Sequence, residues 1–328
     1  MNQKIALFIA GDENIFFPAI VAIESIKKNN PEIFDYFLSF DLSKLDSDMS
    51  SMLDASQINF VDSKVLSKYL NLDEFKSMKE GIWPIEVFLN YAMPSYLHES
   101  GYKYSCKADY DILCVSKYEI SEIIPEKDAI SGWSTPVNLT SQKVPEQVIN
   151  DLVSSNLINS KHVDYMNVGF LLFNNEYYYE NKLLERFSGY YHYLCNKCPD
   201  AMLLEQIAFS LLLSSLKGNF KKIPDIYNHR VLSSKETDKN LMFDVKNIHY
   251  ITRCKPWKPL VVNTVKWFVG NHGGCLFSYR NVWLEFAENI NGFENYCSER
   301  KLSSMQLIGL QMTVAREYNR IINETKTK

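Results

Sequence analysis

The stretch Tyr104-Ser-Cys-Lys-Ala-Asp-Tyr-Asp-Ile-Leu-Cys-Val115 decides how this chain is interpreted. An apolar run follows Asp109 and Asp111, and residues two positions apart in an extended segment point to the same face. We therefore predict one strand over 104–115 with both carboxylates on one face. Two carboxylates can hold a hard divalent cation and leave positions open for diphosphate oxygens. Because such pairs are also common in solvated turns, the prediction depends on partners elsewhere.

Composition and charge restrict the class of protein. The 328 residues are 46% hydrophobic, enough for a substantial core, and the net charge of −4 provides no basic field for nucleic acid. The apolar run at 4–10 is too short for a signal peptide or a membrane span. Seven cysteines, an odd number, indicate free thiols and a cytoplasmic location. Cys195 and Cys198 lack the second pair that a zinc site needs, and we interpret them as thiols near a helix end.

Alternating strand-like and helix-like segments predict an α/β fold with a mostly parallel central sheet and helices on both faces. Strands are predicted at 4–10, 35–40, 58–61, 104–115, 129–133, 165–173 and 248–251, and helices at 18–28, 85–97, 147–159, 176–193 and 202–216. Ligands of such sheets bind beyond the carboxyl ends of the strands. We predict a catalytic domain over 1–260 and a mainly helical extension over 261–328.

Four segments occur together in a characteristic order. They are Ile9-Ala-Gly-Asp-Glu-Asn14, Asp109-Tyr110-Asp111, Tyr165-Met-Asn-Val-Gly-Phe-Leu-Leu172 and His249-Tyr-Ile-Thr-Arg-Cys-Lys-Pro-Trp257. With Glu205-Gln206 at a helix start, the chain resembles glycosyltransferase family 8 over about 4–260. The resemblance implies a Rossmann-like GT-A fold and retaining hexosyl transfer from a UDP-sugar, either UDP-galactose or UDP-glucose. It also implies a glycan or lipid-linked glycan acceptor, in bacterial surface polysaccharide or lipopolysaccharide assembly.

Asp109, Asp111 and His249 form the predicted metal site. By itself, His249 would be a core histidine at a strand end, but the upstream carboxylates and Lys255 six residues later favour a ligand. Manganese accepts a nitrogen ligand more readily than magnesium, which remains the alternative ion. Lys255 would place its charge on the departing phosphate, with Pro256-Trp257 stiffening the loop.

Donor-binding residues are predicted on several segments. Asp12 and Asn14 would bind uracil through hydrogen bonds, beside Ala10. Both residue types are also usual in an ordinary strand-to-helix turn. The two interpretations are about equally supported before the resemblance is considered. Asn167 and Gly169 would lie under the sugar, since Asn offers a donor and an acceptor and Gly admits a ligand close to the backbone. The predicted donor-binding set also includes Tyr110, Asp109, Asn90 and Lys255.

Glu205 and Gln206 are the predicted catalytic residues. We expect the Gln206 amide near the anomeric carbon and the Glu205 carboxylate on sugar hydroxyls or acting as a base. The alternative is two polar residues that face solvent, because neighbouring helical residues point in different directions. The expected mechanism is a front-face substitution in which the donor's own phosphate deprotonates the acceptor.

The chain departs from the family pattern at several positions. Asn90 stands where an arginine is common, and its amide cannot replace a bidentate guanidinium. Thr252 replaces a glycine, and the adjacent Arg253 could supply the missing charge. Glu205 replaces an aspartate. Ser131-Gly132 occupies a position that is often acidic, so the donor sugar stays open.

Two other function classes use some of the same sequence features. A catalytically silent nucleotide-sugar-binding protein is suggested by Asn90 and Thr252, and UDP release would distinguish it from an enzyme. A phosphatase of the haloacid dehalogenase type is set aside, because its Asp-x-Asp follows the first strand and Leu113 occupies the place of its hydroxyl residue.

Weak peripheral membrane contact through the C-terminal extension is a further hypothesis. Aromatic and basic side chains supply the contact groups, namely Trp267, Phe268, Phe277, Tyr279, Trp283, Arg300, Lys301, Arg316 and Arg320. The apolar stripe of the helix predicted at 305–322 is more typical of packing onto its own domain. Glu299, Glu317 and Glu324 dilute the positive field, so we prefer core packing.

Overall fold

A computed structural model describes residues 4–75, 84–198, 200–201, 203–231, 244–251, 255–258 and 276–297, with Met312 and Arg316. The chain divides into two compact units. The first consists of Met1–Ile15, Asn30–Asp109 and Glu119–Asp225, and the second of Phe16–Asn29, Tyr110–Tyr118 and Ile226–Lys328. The predicted division at residue 260 stays a prediction.

The described residues form strands and helices in alternation. The strands are β1 Ile5–Ala10, β2 Phe34–Phe40, β3 Ile58–Asp62, β4 Tyr104–Ala108, β5 Ile112–Cys114, β6 Ile130–Asn138, β7 His162–Asn174, β8 Phe220–Lys222, β9 His229–Arg230 and β10 Asn247–His249. The α-helices are α1 Phe16–Asn29, α2 Ser47–Ala55, α3 Ser63–Leu66, α4 Leu89–Glu99, α5 Ile120–Ile123, α6 Glu146–Ser154, α7 Asn175–Glu180, α8 Leu183–Lys197, α9 Leu204–Ser215, α10 Leu276–Ala287 and α11 Phe293–Cys297.

The first unit contains a seven-stranded sheet in the order β3-β2-β1-β4-β7-β6-β8. Strands β3, β2, β1 and β4 run parallel, whereas β7 is antiparallel to both β4 and β6. All six residues of β1 are buried, as is typical of a central parallel strand with covered faces. The predicted α/β fold with a mostly parallel sheet is confirmed, and the carboxyl ends of β1 and β4 place Ala10 and Asp109 at one edge.

An aromatic core lies beneath helix α9. The Tyr91 ring on α4 stacks on Phe187 of α8 at 4.1 Å between centroids and contacts Phe209 of α9 at 5.8 Å. Burial of large aromatic rings supplies much apolar area, and their offset pairing adds to it. The three helices are thereby fixed together, and with them the start of α9.

The second unit contains a three-stranded sheet in the order β5-β10-β9. Strand β10 runs antiparallel to β5 and parallel to β9. The Phe17 ring of α1 stacks on Tyr296 at 5.0 Å and contacts the edge of Trp283. The predicted C-terminal helices are present in α10 and α11, while nearly all of 298–328 lies outside the described residues.

The predicted single strand over 104–115 is wrong. Strand β4 ends at Ala108, strand β5 begins at Ile112 in the other sheet, and the two carboxylates lie in the turn between them. The backbone explains the break: the Asp109 N–H donates to the Gly169 carbonyl at 2.8 Å, whereas the Asp111 carbonyl accepts from the Tyr250 N–H at 2.9 Å. The chain changes hydrogen-bonding partners within three residues, so a two-residue alternation no longer applies.

Two helix predictions also change in detail. The segment predicted at 176–193 forms α7 and α8, which are separated at Lys182 with a φ of 51°. The helix predicted at 85–97 starts as a 3₁₀ turn over Ile85–Phe88 and continues as α4, with Pro94 inside it. Among the described helices, none combines the length and apolar character needed to cross a membrane.

Candidate active site

In the second unit, Asp111 is a buried carboxylate held by two basic side chains. Lys255 Nζ donates to Asp111 Oδ2 and, at 2.6 Å, to the Tyr250 carbonyl. His249 Nε2 lies 3.1 Å from Asp111 Oδ1. Burial by itself would raise the pKa of Asp111, but the charges and hydrogen bonds of Lys255 and His249 bring it well below its ordinary value. Asp111 is therefore held as a carboxylate anion.

The orientation of His249 follows from its second ring nitrogen. His249 Nδ1 lies 2.7 Å from Oδ1 of the buried Asn228, an oxygen that can only accept. Nδ1 therefore carries the proton, and in the neutral ring the Nε2 lone pair points at Asp111. Fixing a ligand tautomer through the other ring nitrogen is usual in metal sites.

Asp109, Asp111 and His249 together present a set of cation ligands. One ligand atom of each lies within 4.8 Å of the others. When the His249 ring is neutral and carries its proton on Nδ1, the buried Asp111 Oδ1 receives no hydrogen bond from the described residues. Two lone pairs 3.1 Å apart repel each other unless a proton or a cation lies between them. Two carboxylates and an imidazole thus fit a divalent cation, and this donor set suits manganese better than magnesium.

The segment that carries Lys255 is held by the rest of the second unit. The Lys255 carbonyl accepts a hydrogen bond from Arg280 Nη1 at 3.2 Å, and both residues are buried. The Trp257 ring meets Tyr110 edge-on at 5.8 Å, and Lys255 Nζ lies 5.9 Å from the centre of the Tyr110 ring. Tyr110 therefore helps to confine the ammonium group, a contact between cation and ring that the sequence did not indicate.

In the first unit, Lys107 is a buried cation beside Asp109. Its side chain is 1% exposed, and Nζ donates to an Asp109 carboxylate oxygen and to the Val168 carbonyl at 2.6 Å. It ties the end of β4 to the middle of β7. A lysine is rarely buried without such partners. The sequence did not indicate the role of Lys107, because nothing in the strand pattern around it shows that this lysine is buried.

Glu205 lies in the first turn of α9, where a negative charge is favourable. Its Oε1 accepts from the Tyr91 hydroxyl at 2.8 Å. Burial of the carboxyl group raises the pKa of Glu205; the charge of Lys107 and the Tyr91 hydrogen bond act in the opposite direction, and the charge of Asp109 raises it further. The net pKa stays above its ordinary value.

Gln206 lies beside the segment of β7 that contains Asn167 and Gly169. Asn167 Nδ2 and Gln206 Oε1 are 3.5 Å apart, and Asn167 Oδ1 accepts from the Gly169 N–H at 3.1 Å. Neither side chain is fully buried. The structure thus brings the predicted sugar-binding pair together with the predicted catalytic amide.

Asn90 is a clamp on the end of β1. Its Nδ2 donates to the carbonyls of Ala10 at 2.8 Å and Val87 at 3.0 Å, and its Oδ1 accepts from the Ala10 N–H at 3.1 Å. The side chain is 3% exposed. The Asn90 amide, which was predicted to contact the donor, is thus hydrogen-bonded to the backbone. A role of Asn90 in donor binding stays a prediction.

Asp12 and Asn14 face each other in the turn after β1. Asp12 Oδ1 accepts from the Asn14 N–H at 3.2 Å, and Oδ2 accepts from Asn14 Nδ2 at 3.1 Å. This is the strand-to-helix turn that was one of the two interpretations. A role of these side chains in reading uracil stays a prediction.

The acidic position replaced by Ser131-Gly132 has a packing explanation. Ser131 is buried and donates to the Ile123 carbonyl. A β-carbon on Gly132 would lie 2.6 Å from both Leu171 Cδ2 and Met166 Sδ, next to a bulge of β6. No larger residue fits there without rearrangement. Thr252 and Arg253 lie outside the described residues.

The Cys195-Cys198 pair shows no sign of a reactive thiol. Neither forms a disulfide, and burial raises the pKa of each, that of Cys195 to about 11. A thiol with a raised pKa is a poor nucleophile and a poor ligand at neutral pH.

The chain matches a known protein family over most of its length. Residues 6–260 match the model of Glycosyl transferase family 8. No protein among the curated sequences matches the chain significantly.

Solved structures of sugar transferases share the fold. The galactosyltransferase LgtC, in complex with donor and acceptor sugar analogs, superposes with a TM-score of 0.57 at 14% identity, covering 87% of this chain and 96% of LgtC. The bifunctional glycosyltransferase WbbM superposes with a TM-score of 0.57 at 12% sequence identity, and the match covers 92% of this chain and 52% of the WbbM chain. The glycosyltransferase GlyE of Streptococcus pneumoniae TIGR4 superposes with a TM-score of 0.55 at 15% sequence identity, and the match covers 92% of this chain and 66% of the GlyE chain. Likeness at this identity establishes the fold and confirms the predicted GT-A architecture.

Proposed function

Because the chain belongs to glycosyl transferase family 8, we propose that it moves a hexose from a UDP-sugar to a glycan acceptor, with retention of configuration and with a divalent cation. The observation that carries the proposal is the Asp109–Asp111–His249 ligand set, with its buried, unsatisfied Asp111 oxygen. A divalent cation held between Asp111 Oδ1 and His249 Nε2 would supply the positive charge that this oxygen lacks when the His249 ring is neutral.

Asp109, Asp111 and His249 would hold the ion, with manganese preferred and magnesium the alternative. When bound, the ion would neutralise negative charge on the diphosphate leaving group. Asn228 fixes the His249 tautomer that such binding needs. Lys255 adds a second positive charge beside Asp111, and we propose that it stabilises the departing phosphate.

On the first unit, Gln206 and Glu205 are proposed to act on the sugar. The Gln206 amide would stabilise positive charge at the anomeric carbon, and the Glu205 carboxylate would accept hydrogen bonds from sugar hydroxyls. Asn167, next to Gln206, would orient the sugar. The donor's own phosphate would deprotonate the acceptor in a front-face substitution.

The substrates are proposed at the level of chemical class. LgtC, with the same fold, is a galactosyltransferase whose structure contains donor and acceptor sugar analogs, which supports a sugar donor and a sugar acceptor here. UDP-galactose and UDP-glucose are the proposed donors, and a cell-surface glycan or lipid-linked glycan is the proposed acceptor. Free thiols on the five described cysteines are in keeping with the proposed cytoplasmic location.

A thermal-shift panel tests the assignment. Wild type and Asp111→Asn are heated with UDP, UDP-galactose and UDP-glucose, each with and without manganese. Stabilisation by UDP-sugars that requires manganese and vanishes in Asp111→Asn is the expected result. Equal stabilisation with and without the ion would contradict the metal-dependent proposal.

A catalytically silent nucleotide-sugar-binding protein is the second candidate. It is favoured by Asn90, whose amide is engaged by the backbone of Ala10 and Val87 where the family commonly has an arginine. Release of UDP in the presence of manganese and an acceptor distinguishes the two. Binding of the UDP-sugar without release would support the silent protein.

A further inference from the structure

A buried tyrosine hydroxyl holds one oxygen of the Glu205 carboxylate. The Tyr91 ring is packed against Phe187 and Phe209 and has no solvent exposure. In this apolar setting its only polar atom is aimed at Glu205 Oε1, 2.8 Å away. Burial and the adjacent Glu205 charge keep the pKa of Tyr91 well above its ordinary value, so the hydroxyl remains a proton donor.

The rest of the surroundings of Glu205 is also charged or titratable. The charge of Lys107 on β4 lowers the pKa of Glu205, and the charge of Asp109 raises it. The Glu205 charge in turn raises the pKa of Tyr191 on α8. Glu205 itself is only partly buried. One oxygen is thus fixed from the core side, while part of the residue remains accessible.

We propose that Tyr91 is a positioning residue that holds Glu205 Oε1, so that Oε2 is free to accept a hydrogen bond from a hydroxyl of the donor sugar. This inference deepens the proposed function and rests on it. It also accounts for glutamate at this position: the longer side chain reaches back to the Tyr91 hydroxyl from the first turn of α9. A carboxylate oriented in this way keeps its acceptor geometry when the sugar binds.

Tyr91→Phe is a sharp test, because it deletes one oxygen and leaves the ring packing in place. The matched control is Tyr178→Phe. Tyr178 is also fully buried, and its hydroxyl donates to the Tyr91 carbonyl at 3.0 Å. Its removal perturbs the same helix but leaves the hydrogen bond to Glu205.

Two measurements are made on the full chain with manganese. The first is calorimetric binding of UDP and of the UDP-sugar, whose difference reports contacts to the sugar. The second is the pH dependence of UDP-sugar turnover. Tyr91→Phe is expected to retain UDP affinity and to lose roughly ten-fold in the sugar-dependent part of the affinity.

The pH profile separates positioning from a structural role. Loss of the Tyr91 hydrogen bond removes an interaction that lowers the pKa of Glu205, so the acid limb of the profile should move to higher pH. In a Glu205→Gln background, adding Tyr91→Phe should produce no further shift. Tyr178→Phe should leave the limb where it is in the wild type.

The outcomes are distinguishable. If wild type turns over the UDP-sugar and Tyr91→Phe binds and titrates like wild type, the inference is wrong and the proposed function stands. If Tyr91→Phe loses UDP and UDP-sugar affinity equally, as a general distortion would, the inference is also wrong. If wild type neither binds nor turns over a UDP-sugar with manganese, the proposed function fails, and the role of Tyr91 fails with it.

Discussion

Asp111 has a proposed metal-binding role and Glu205 a proposed catalytic role. Their surroundings shift the pKa values of the two carboxyl groups in opposite directions. Asp111 has a lysine and a histidine against it, and its pKa is lowered despite burial. Burial raises the pKa of Glu205, and the charge of Lys107 and the hydrogen bond from the Tyr91 hydroxyl only partly offset it. The first environment stabilises an anion that can hold a cation, and the second makes the charged form of the carboxyl group less favourable than it is in water.

The largest expected effect comes from Asp111→Asn. Removal of the anion at the ligand set should lower UDP-sugar turnover by roughly 10²- to 10³-fold. UDP release is the assay, and the exposed Asp54→Asn on α2 is the control, for which wild-type turnover is expected. Wild-type turnover in Asp111→Asn would show that the Asp111 charge has no catalytic role.

A smaller loss is expected at the residue that orients the histidine. Asn228→Ala removes the acceptor for His249 Nδ1 and should weaken manganese affinity about 10- to 100-fold. The measurement is the manganese concentration that gives half-maximal activity. Asn247→Ala is a matched control, because Asn247 on β10 is as buried as Asn228, and its side chain bonds to Tyr118 and Tyr227 rather than to His249. If both variants shift the manganese requirement equally, the orientation argument fails.

On the other side of the comparison, Lys107→Met tests the buried cation. Breaking a buried pair costs about 3–5 kcal/mol, but Asp109 is 30% exposed, so we expect a loss of roughly 1–3 kcal/mol in the free energy of unfolding. Urea unfolding measures it. Lys4→Met breaks an exposed pair with Asp35 and should change stability far less. Equal stability of the two variants would mean that Lys107 is not needed to balance charge.

The smallest effect is a difference in pH dependence. Asp111 has a lowered native pKa, so its contribution to stability is present above about pH 4 and is lost as the pH falls. Glu205 has a raised native pKa, so its contribution is present below about pH 4 and is lost as the pH rises through the native value.

Urea unfolding between pH 3 and 7 with a chelator present compares wild type with Asp111→Asn and Glu205→Gln. Asp111→Asn should flatten the acid side of the stability curve, and Glu205→Gln should remove the decline toward neutral pH. For each variant, the difference from wild type in the free energy of unfolding is plotted against pH. Slopes of the same sign for both variants would contradict the contrast between the two carboxylates.

The sequence predicted the fold because the signals for its strands and helices are local. The buried run of β1 and the helical spacing of α1 give periodicities that tertiary packing does not change. Asp109, Asp111 and His249 were predicted as metal ligands, and the structure brings them together. The transfer of a sugar was implied by the resemblance and is supported by the family match.

The supporting residues could not be predicted, because their partners are distant in sequence. Tyr91 and Glu205 are separated by 114 positions, and Lys107 meets Val168 across 61. Neither Tyr91 nor Lys107 differs in pattern from its apolar neighbours. The break at Asp109–Asp111 was missed for a related reason: alternation describes one strand and contains no signal that the chain leaves its sheet.

The amide clamp of Asn90 has a consequence for redesign. Grafting the arginine common in relatives onto this position would not simply add a missing charge, because a guanidinium group has no acceptor for the Ala10 N–H. A larger cation would also have to enter a position that is 3% exposed. Transplanting one residue from a relative would therefore loosen the first strand, and a successful graft has to supply a new partner for Ala10 at the same time.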